Sequence, residues 1–100
     1  ITLMMGLRAE KEAVGYRVST FCDQEGAQVF LMVALMDAQT GEYLAVQPYS
    51  SAIDRMYQTE EAFAKLKSKT DYTVKAIAWV TASGSVNNGA LYAESSITTE

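Results

Sequence analysis

The sequence predicts a single domain of the α+β class, a mainly antiparallel sheet of four to six strands with one helix packed on one face. Two observations support this prediction. Six segments have the apolar alternation or the β-branched and aromatic content of strands, and turn-forming residues separate several of them. One further segment carries the capping residue and the charge distribution of a helix. A length of 100 residues suits one domain, which we assign to residues 1–100.

The predicted strands are residues 1–7, 14–22, 27–36, 42–47, 71–82 and 90–98. Turns rich in aspartate and glycine at 23–26 and 37–41 join the second, third and fourth of these strands. We therefore expect an antiparallel meander there. Asn88-Gly89 is a strong signal for a tight turn and predicts a hairpin between the last two strands.

The predicted helix begins at Thr59 and ends at Lys67, between the meander and the hairpin. Threonine is a favourable N-cap, two glutamates follow it in the first turn, and two lysines occupy the last turn. Phe63 and Leu66 are three residues apart, which gives such a helix a narrow apolar stripe. We expect this stripe to pack on one face of the sheet.

The segment Val29–Met36 is apolar at every position, so a strand formed by it needs cover on both faces. Ile77 and Trp79 place large apolar side chains on the strand at 71–82, so this strand also needs cover on both faces. One short helix can cover only one face of the sheet. The second face could be covered by curling of the sheet, by residues 1–7, by a ligand or by another copy of the chain. Of these we expect another copy, in a homodimer.

The composition excludes several kinds of chemistry. Histidine is absent, which removes the commonest general base and the commonest transition-metal ligand. Cys22 is the only cysteine, which fits a reducing cytoplasmic location and a role as a small core residue. We therefore predict no catalytic, cofactor-binding or metal-binding residue. The net charge of −4 makes nucleic acid an improbable partner, and no apolar run is long enough to cross a membrane.

Two glycines near the C-terminus have the spacing of a phosphate-binding loop. Gly84 and Gly89 would have to be followed by lysine and then serine or threonine. Ala90 and Leu91 stand there instead, and a predicted strand follows rather than a helix. We interpret this segment as a hairpin loop.

The best candidate for a functional surface is an irregular stretch in the middle of the chain. Tyrosine and arginine are favoured at protein interfaces, and the candidate residues are Tyr49, Asp54, Arg55 and Tyr57. The favoured function is a non-enzymatic binding or protein-interaction module, such as an accessory or inhibitory factor that docks on a larger protein partner. The alternative is a small-ligand-binding domain or a simple metal-free enzyme with a pocket between helix and sheet, lined by tyrosine, methionine and Trp79.

Overall fold

The computed structural model describes residues 2–22, 26–47, 50–53, 56–81 and 90–100. Within these residues the chain forms eight β-strands and no helix. The strands are β1 (Thr2–Ala9), β2 (Val14–Phe21), β3 (Gln28–Asp37), β4 (Tyr43–Val46), β5 (Ser50–Ala52), β6 (Met56–Phe63), β7 (Asp71–Thr81) and β8 (Ala90–Thr98).

The strands form two antiparallel sheets. The smaller sheet has the order β1-β2-β6 and the larger one the order β4-β3-β7-β8. Short β5 also pairs with β3, along the edge that β4 occupies. The chain crosses from one sheet to the other after β2, after β5 and after β6, so each sheet combines strands that are distant in sequence.

The core lies between the two sheets. Alternate residues of each central strand point inward, because successive side chains of a strand lie on opposite faces. Leu31 and Leu35 of β3 are 1% exposed, and Val14 and Val18 of β2 are completely buried. The other buried members are Tyr16, Val33, Phe63, Tyr72, Val74, Ala76 and Ala78. Both sheets supply this core, so the molecule is a β-sandwich.

The predicted α+β class is wrong, because the predicted helix at Thr59–Lys67 does not form. Its first half belongs to β6, which pairs along its whole length with β2. This pairing places Phe63 in the core and sets Glu60 opposite Arg17. After β6 the chain turns, and Lys65 adopts a left-handed φ of 59°. The local preference for helix is therefore overridden by pairing with a distant strand.

The predicted strands otherwise match the structure closely, but the predicted meander is wrong. The second and third predicted strands, β2 and β3, lie in different sheets rather than side by side. The pairing of β3 with β4 and the pairing of β7 with β8 are both antiparallel, as the sequence predicts. The predicted turn at Asn88-Gly89 and the loop from Gly84 to Gly89 lie outside the described residues.

A hydrogen-bonded corner replaces the expected helix between β6 and β7. The Tyr72 hydroxyl accepts a hydrogen bond from the Lys67 backbone N–H at 3.0 Å. The buried Thr99 hydroxyl donates to the Lys67 carbonyl at 2.7 Å and accepts from the Thr70 N–H at 2.9 Å. Tyr72 is the second residue of β7, so its hydroxyl ties the start of this strand to the backbone of the preceding turn.

We predict that Tyr72→Phe lowers the free energy of unfolding by about 0.5–1.5 kcal/mol, because it removes the acceptor of the Lys67 N–H from a partly buried corner. Urea unfolding of the two proteins measures the difference. Tyr43→Phe is the control, since Tyr43 is exposed on β4 and should change stability little. Equal stabilities of wild type and Tyr72→Phe would contradict a structural role for the corner.

The larger sheet allows a comparison of its two faces within one strand. Leu31→Ala should cost about 2–5 kcal/mol, because Leu31 points into the core and is 1% exposed. Met32→Ala should cost less, since the neighbouring Met32 points to the outer face and is only half-buried. Chemical unfolding of both variants tests this order. A loss below about 1 kcal/mol for Leu31→Ala would show that the site is not packed.

Candidate interaction surface

The structure describes one of the four residues that the sequence nominates. Tyr57 is half-buried on β6, packs against the core, and its carbonyl accepts a hydrogen bond from the Thr20 hydroxyl at 3.3 Å. It therefore contributes to core packing. Tyr49, Asp54 and Arg55 lie outside the described residues, so their shared role at a surface stays a prediction.

A larger surface is formed by the outer face of the larger sheet. The register of β3, β7, β8 and β4 brings large apolar side chains to this face, and Met36 and Tyr43 are opposite each other beside its polar end. We use the name apolar face for the six others, which are Phe30, Met32, Val46, Ile77, Trp79 and Tyr92. The sequence signal for it is the unbroken apolar character of Val29–Met36, which predicts a strand that needs cover on both faces.

Two aromatic rings stand at the centre of the apolar face. Phe30 and Trp79 are directly opposite each other on β3 and β7, and their rings stack with centroids 5.4 Å apart and planes 7° apart. Met32 and Ile77 form the next outward-facing pair along the same two strands. These four side chains are half-buried by one another and by their neighbours. They form a continuous apolar strip rather than scattered exposed residues.

The sides of the apolar face are more open than its centre. Tyr92 of β8 is opposite Ile77 and is 63% exposed, while Val46 of β4 is opposite Ala34 and is 52% exposed. An apolar group on an edge strand with half or more of its surface in water is available to a partner. The strip thus extends across all four strands.

One end of this outer face is polar. Lys75 and Glu94 are directly opposite each other on β7 and β8, and the Lys75 ammonium lies 5.1 Å from the centre of the Tyr92 ring. Further along, the hydroxyls of Thr73 and Ser96 are hydrogen-bonded at 3.0 Å. A polar border beside an apolar centre is typical of protein interfaces.

The outer face of the smaller sheet differs in chemistry. Arg17 and Glu60 form an ion pair at 2.8 Å across its middle, and the Arg8 guanidinium lies over Gly15. These residues line a shallow cavity of about 220 Å³, which is smaller than a typical small-molecule pocket of about 300–1,000 Å³. Met4, Phe21 and Met56 are exposed at one end of this sheet, where Phe21 is opposite Met56. The middle of the sheet is charged, in contrast to the centre of the apolar face.

No group of three or more histidine, cysteine, aspartate and glutamate residues comes together among the described residues. Cys22 is buried beside Ala27 and Val29, as expected for a small core thiol. Hydrogen bonds from the Thr40 and Gln39 backbone N–H groups lower the pKa of Asp37, so this carboxylate orders its own turn. Nothing in this arrangement assembles a nucleophile and a base.

The most perturbed titratable group is Tyr16, which belongs to the core. Burial raises the pKa of Tyr16 well above its usual value of 10.0, and the nearby Glu61 carboxylate raises it further. The Tyr16 hydroxyl donates to Glu61 at 3.3 Å. The phenol packs against Phe63, with ring centroids 5.3 Å apart, so its role is structural.

Comparison with known proteins gives no relative: no family model, no curated protein and no solved structure matches this chain. Among the described residues there is also no helix with the length and apolar character needed to cross a membrane. The interpretation of function therefore depends on the side chains of the apolar face and on their exposure.

The raised pKa of Tyr16 makes stability sensitive to high pH. In the unfolded chain Tyr16 loses its proton near pH 10, whereas the folded protein keeps it to higher pH. Above that pH the unfolded state binds fewer protons, so the free energy of unfolding falls as pH rises. We expect Tyr16→Phe to make this fall shallower, measured by urea unfolding between about pH 8 and 11. Glu61→Gln should make the fall in the free energy of unfolding partly shallower. An unchanged slope in Tyr16→Phe would contradict the assignment of this pH dependence to Tyr16.

Proposed function

We propose that this chain is a non-enzymatic protein-interaction module and that its contact surface is the apolar face of the larger sheet. The observation that supports this proposal is the continuous strip of six apolar side chains across four strands, centred on the stacked Phe30 and Trp79. Soluble proteins rarely expose a large continuous apolar patch without a partner for it. Aromatic residues at the centre of a patch are the usual energetic anchors of an interface.

The alternative of a small-ligand-binding domain or a simple enzyme has less support. That alternative needed a pocket between a helix and the sheet, and the described residues contain no helix. The cavity beside Gly15 is shallow and lies on the outside of the smaller sheet. Its two arginines already have carboxylates near them, Glu60 at 2.8 Å and Glu10 at 3.9 Å. Neither observation favours a bound metabolite.

The class of partner follows from the chemistry of the face. An apolar centre with a polar border fits an ordered protein surface of the same kind, which agrees with an accessory or inhibitory factor docking on another protein. The buried free thiol of Cys22 supports the proposed cytoplasmic location, because a reducing compartment preserves it.

Site-specific photo-crosslinking in the cells that naturally make the protein tests this function. Tyr92, on the apolar face, is replaced by p-benzoylphenylalanine; the matched control places the same group at Met4, on the outer face of the smaller sheet. The two side chains are 63% and 65% exposed, so they are equally accessible to a partner. We expect discrete protein adducts from position 92 and none from position 4. No adduct from position 92, or the same adducts from both positions, would contradict the proposal.

A further inference from the structure

We infer that the partner on the apolar face is a second copy of this chain, so that two larger sheets pack face to face in a symmetric dimer. This inference rests on the proposed function, because it names the occupant of the same surface. Three properties of the face support it: its size, its charge and its regular shape.

The size of the face suits a dimer. Strand β3 has ten residues and the larger sheet is four strands wide. With a rise of about 3.3 Å per residue and a strand spacing of about 4.8 Å, the whole outer face, its polar end included, measures about 33 by 19 Å, or at most about 630 Å² per copy. Two copies would bury at most about 1,250 Å², at the lower end of the range of about 1,200–2,000 Å² for stable, specific interfaces. We therefore expect a dimer that dissociates on dilution.

The charge of the face also suits pairing with itself. The chain has a net charge of −4, which opposes close approach of two copies in general. The described residues of this outer face carry three charged side chains, all at its polar end: Lys75 and Glu94, which are opposite each other, and Asp71, which is opposite Thr98. None of the six side chains of the apolar face is charged, so the part of the surface that would form the contact opposes pairing least.

The shape of the face is that of a regular twisted sheet. Two sheets with the same hand of twist pack face to face with their strands about 30° apart and their side chains interlocked. A second copy supplies such a sheet with the same twist and the same apolar strip. Twofold pairing of identical patches is also the commonest way in which soluble chains assemble. Trp79 and Phe30 then become buried at the centre of the contact.

Sedimentation equilibrium of the purified chain tests the inference between about 1 and 200 µM, a range chosen for an interface near the small end of the specific class. We expect the average mass to rise from 10.9 kDa towards twice that value as concentration increases. Tyr92→Glu should raise the dissociation constant about tenfold or more, because it removes an exposed aromatic contact and places a charge in the apolar strip. Met4→Glu is the matched control, with the same change in charge at an equally exposed residue of the other sheet, and it should leave the dissociation constant unchanged.

Fluorescence gives a second readout that does not depend on a variant. Trp79 is the only tryptophan and is half-buried on the apolar face, so its emission should move to longer wavelength as the dimer dissociates. A mass of 10.9 kDa at every concentration overturns the dimer. Equal weakening by Tyr92→Glu and Met4→Glu also overturns it. A constant monomer mass together with a position-92 adduct to a different protein rejects the dimer and keeps the interaction function, whereas the absence of both rejects the two proposals together.

Discussion

The pairing of β3 with β7 is the constraint on which both the core and the apolar face depend. The two strands are paired over ten residues, and this register decides which side chains point inward. At the middle of the inner face large residues oppose small ones: Leu31 is opposite Ala78, and Val33 is opposite Ala76. The small residues leave room for side chains of the smaller sheet. On the outer face Phe30 is opposite Trp79 and Met32 is opposite Ile77. A slip of one residue in this register would exchange the two faces.

The sequence predicts the strands well because their signals are local. Alternation, β-branched residues and turn residues place six of the eight described strands, and the two that they miss are β5 and β6. Short β5 lies in the stretch that the sequence predicts to be irregular, and β6 replaces the predicted helix. Thr59, the glutamates and the lysines of that segment are good helix signals, but burial of Phe63 and pairing with β2 stabilise a strand instead. The assignment of β2 and β3 to different sheets is equally non-local. No turn residue at 23–26 encodes it, since it depends on which distant strands each one pairs with.

In the candidate site, too, local sequence signals are predictive and the pairing of distant strands is not. The excess of apolar residues in Val29–Met36 and around Trp79 correctly predicts the central strand pair of a sheet, whereas cover for the outer face of this pair stays a prediction. The inner cover is the smaller sheet rather than a helix, with β1 contributing half-buried Leu3, Met5 and Leu7 to the core. The stack of Phe30 on Trp79 could not be predicted, because it needs the register of two strands about fifty residues apart. Tyr57 is half-buried and packs against the core, and its place at an interaction surface stays a prediction.

The difference between the two outer faces is the strongest argument that the larger sheet carries the function. Both sheets have an inner face that contributes to one shared core, so packing within the chain explains the inner faces of both. On the smaller sheet, the ion pair of Arg17 with Glu60 and the guanidinium of Arg8 over Gly15 place charge where water can reach it. Charged residues on an outer face and along the edge strand β6 also discourage association with other chains. The apolar face lacks such charges in its centre, although the same chain places them on its other sheet. The shared core therefore does not explain the apolar character of this outer face.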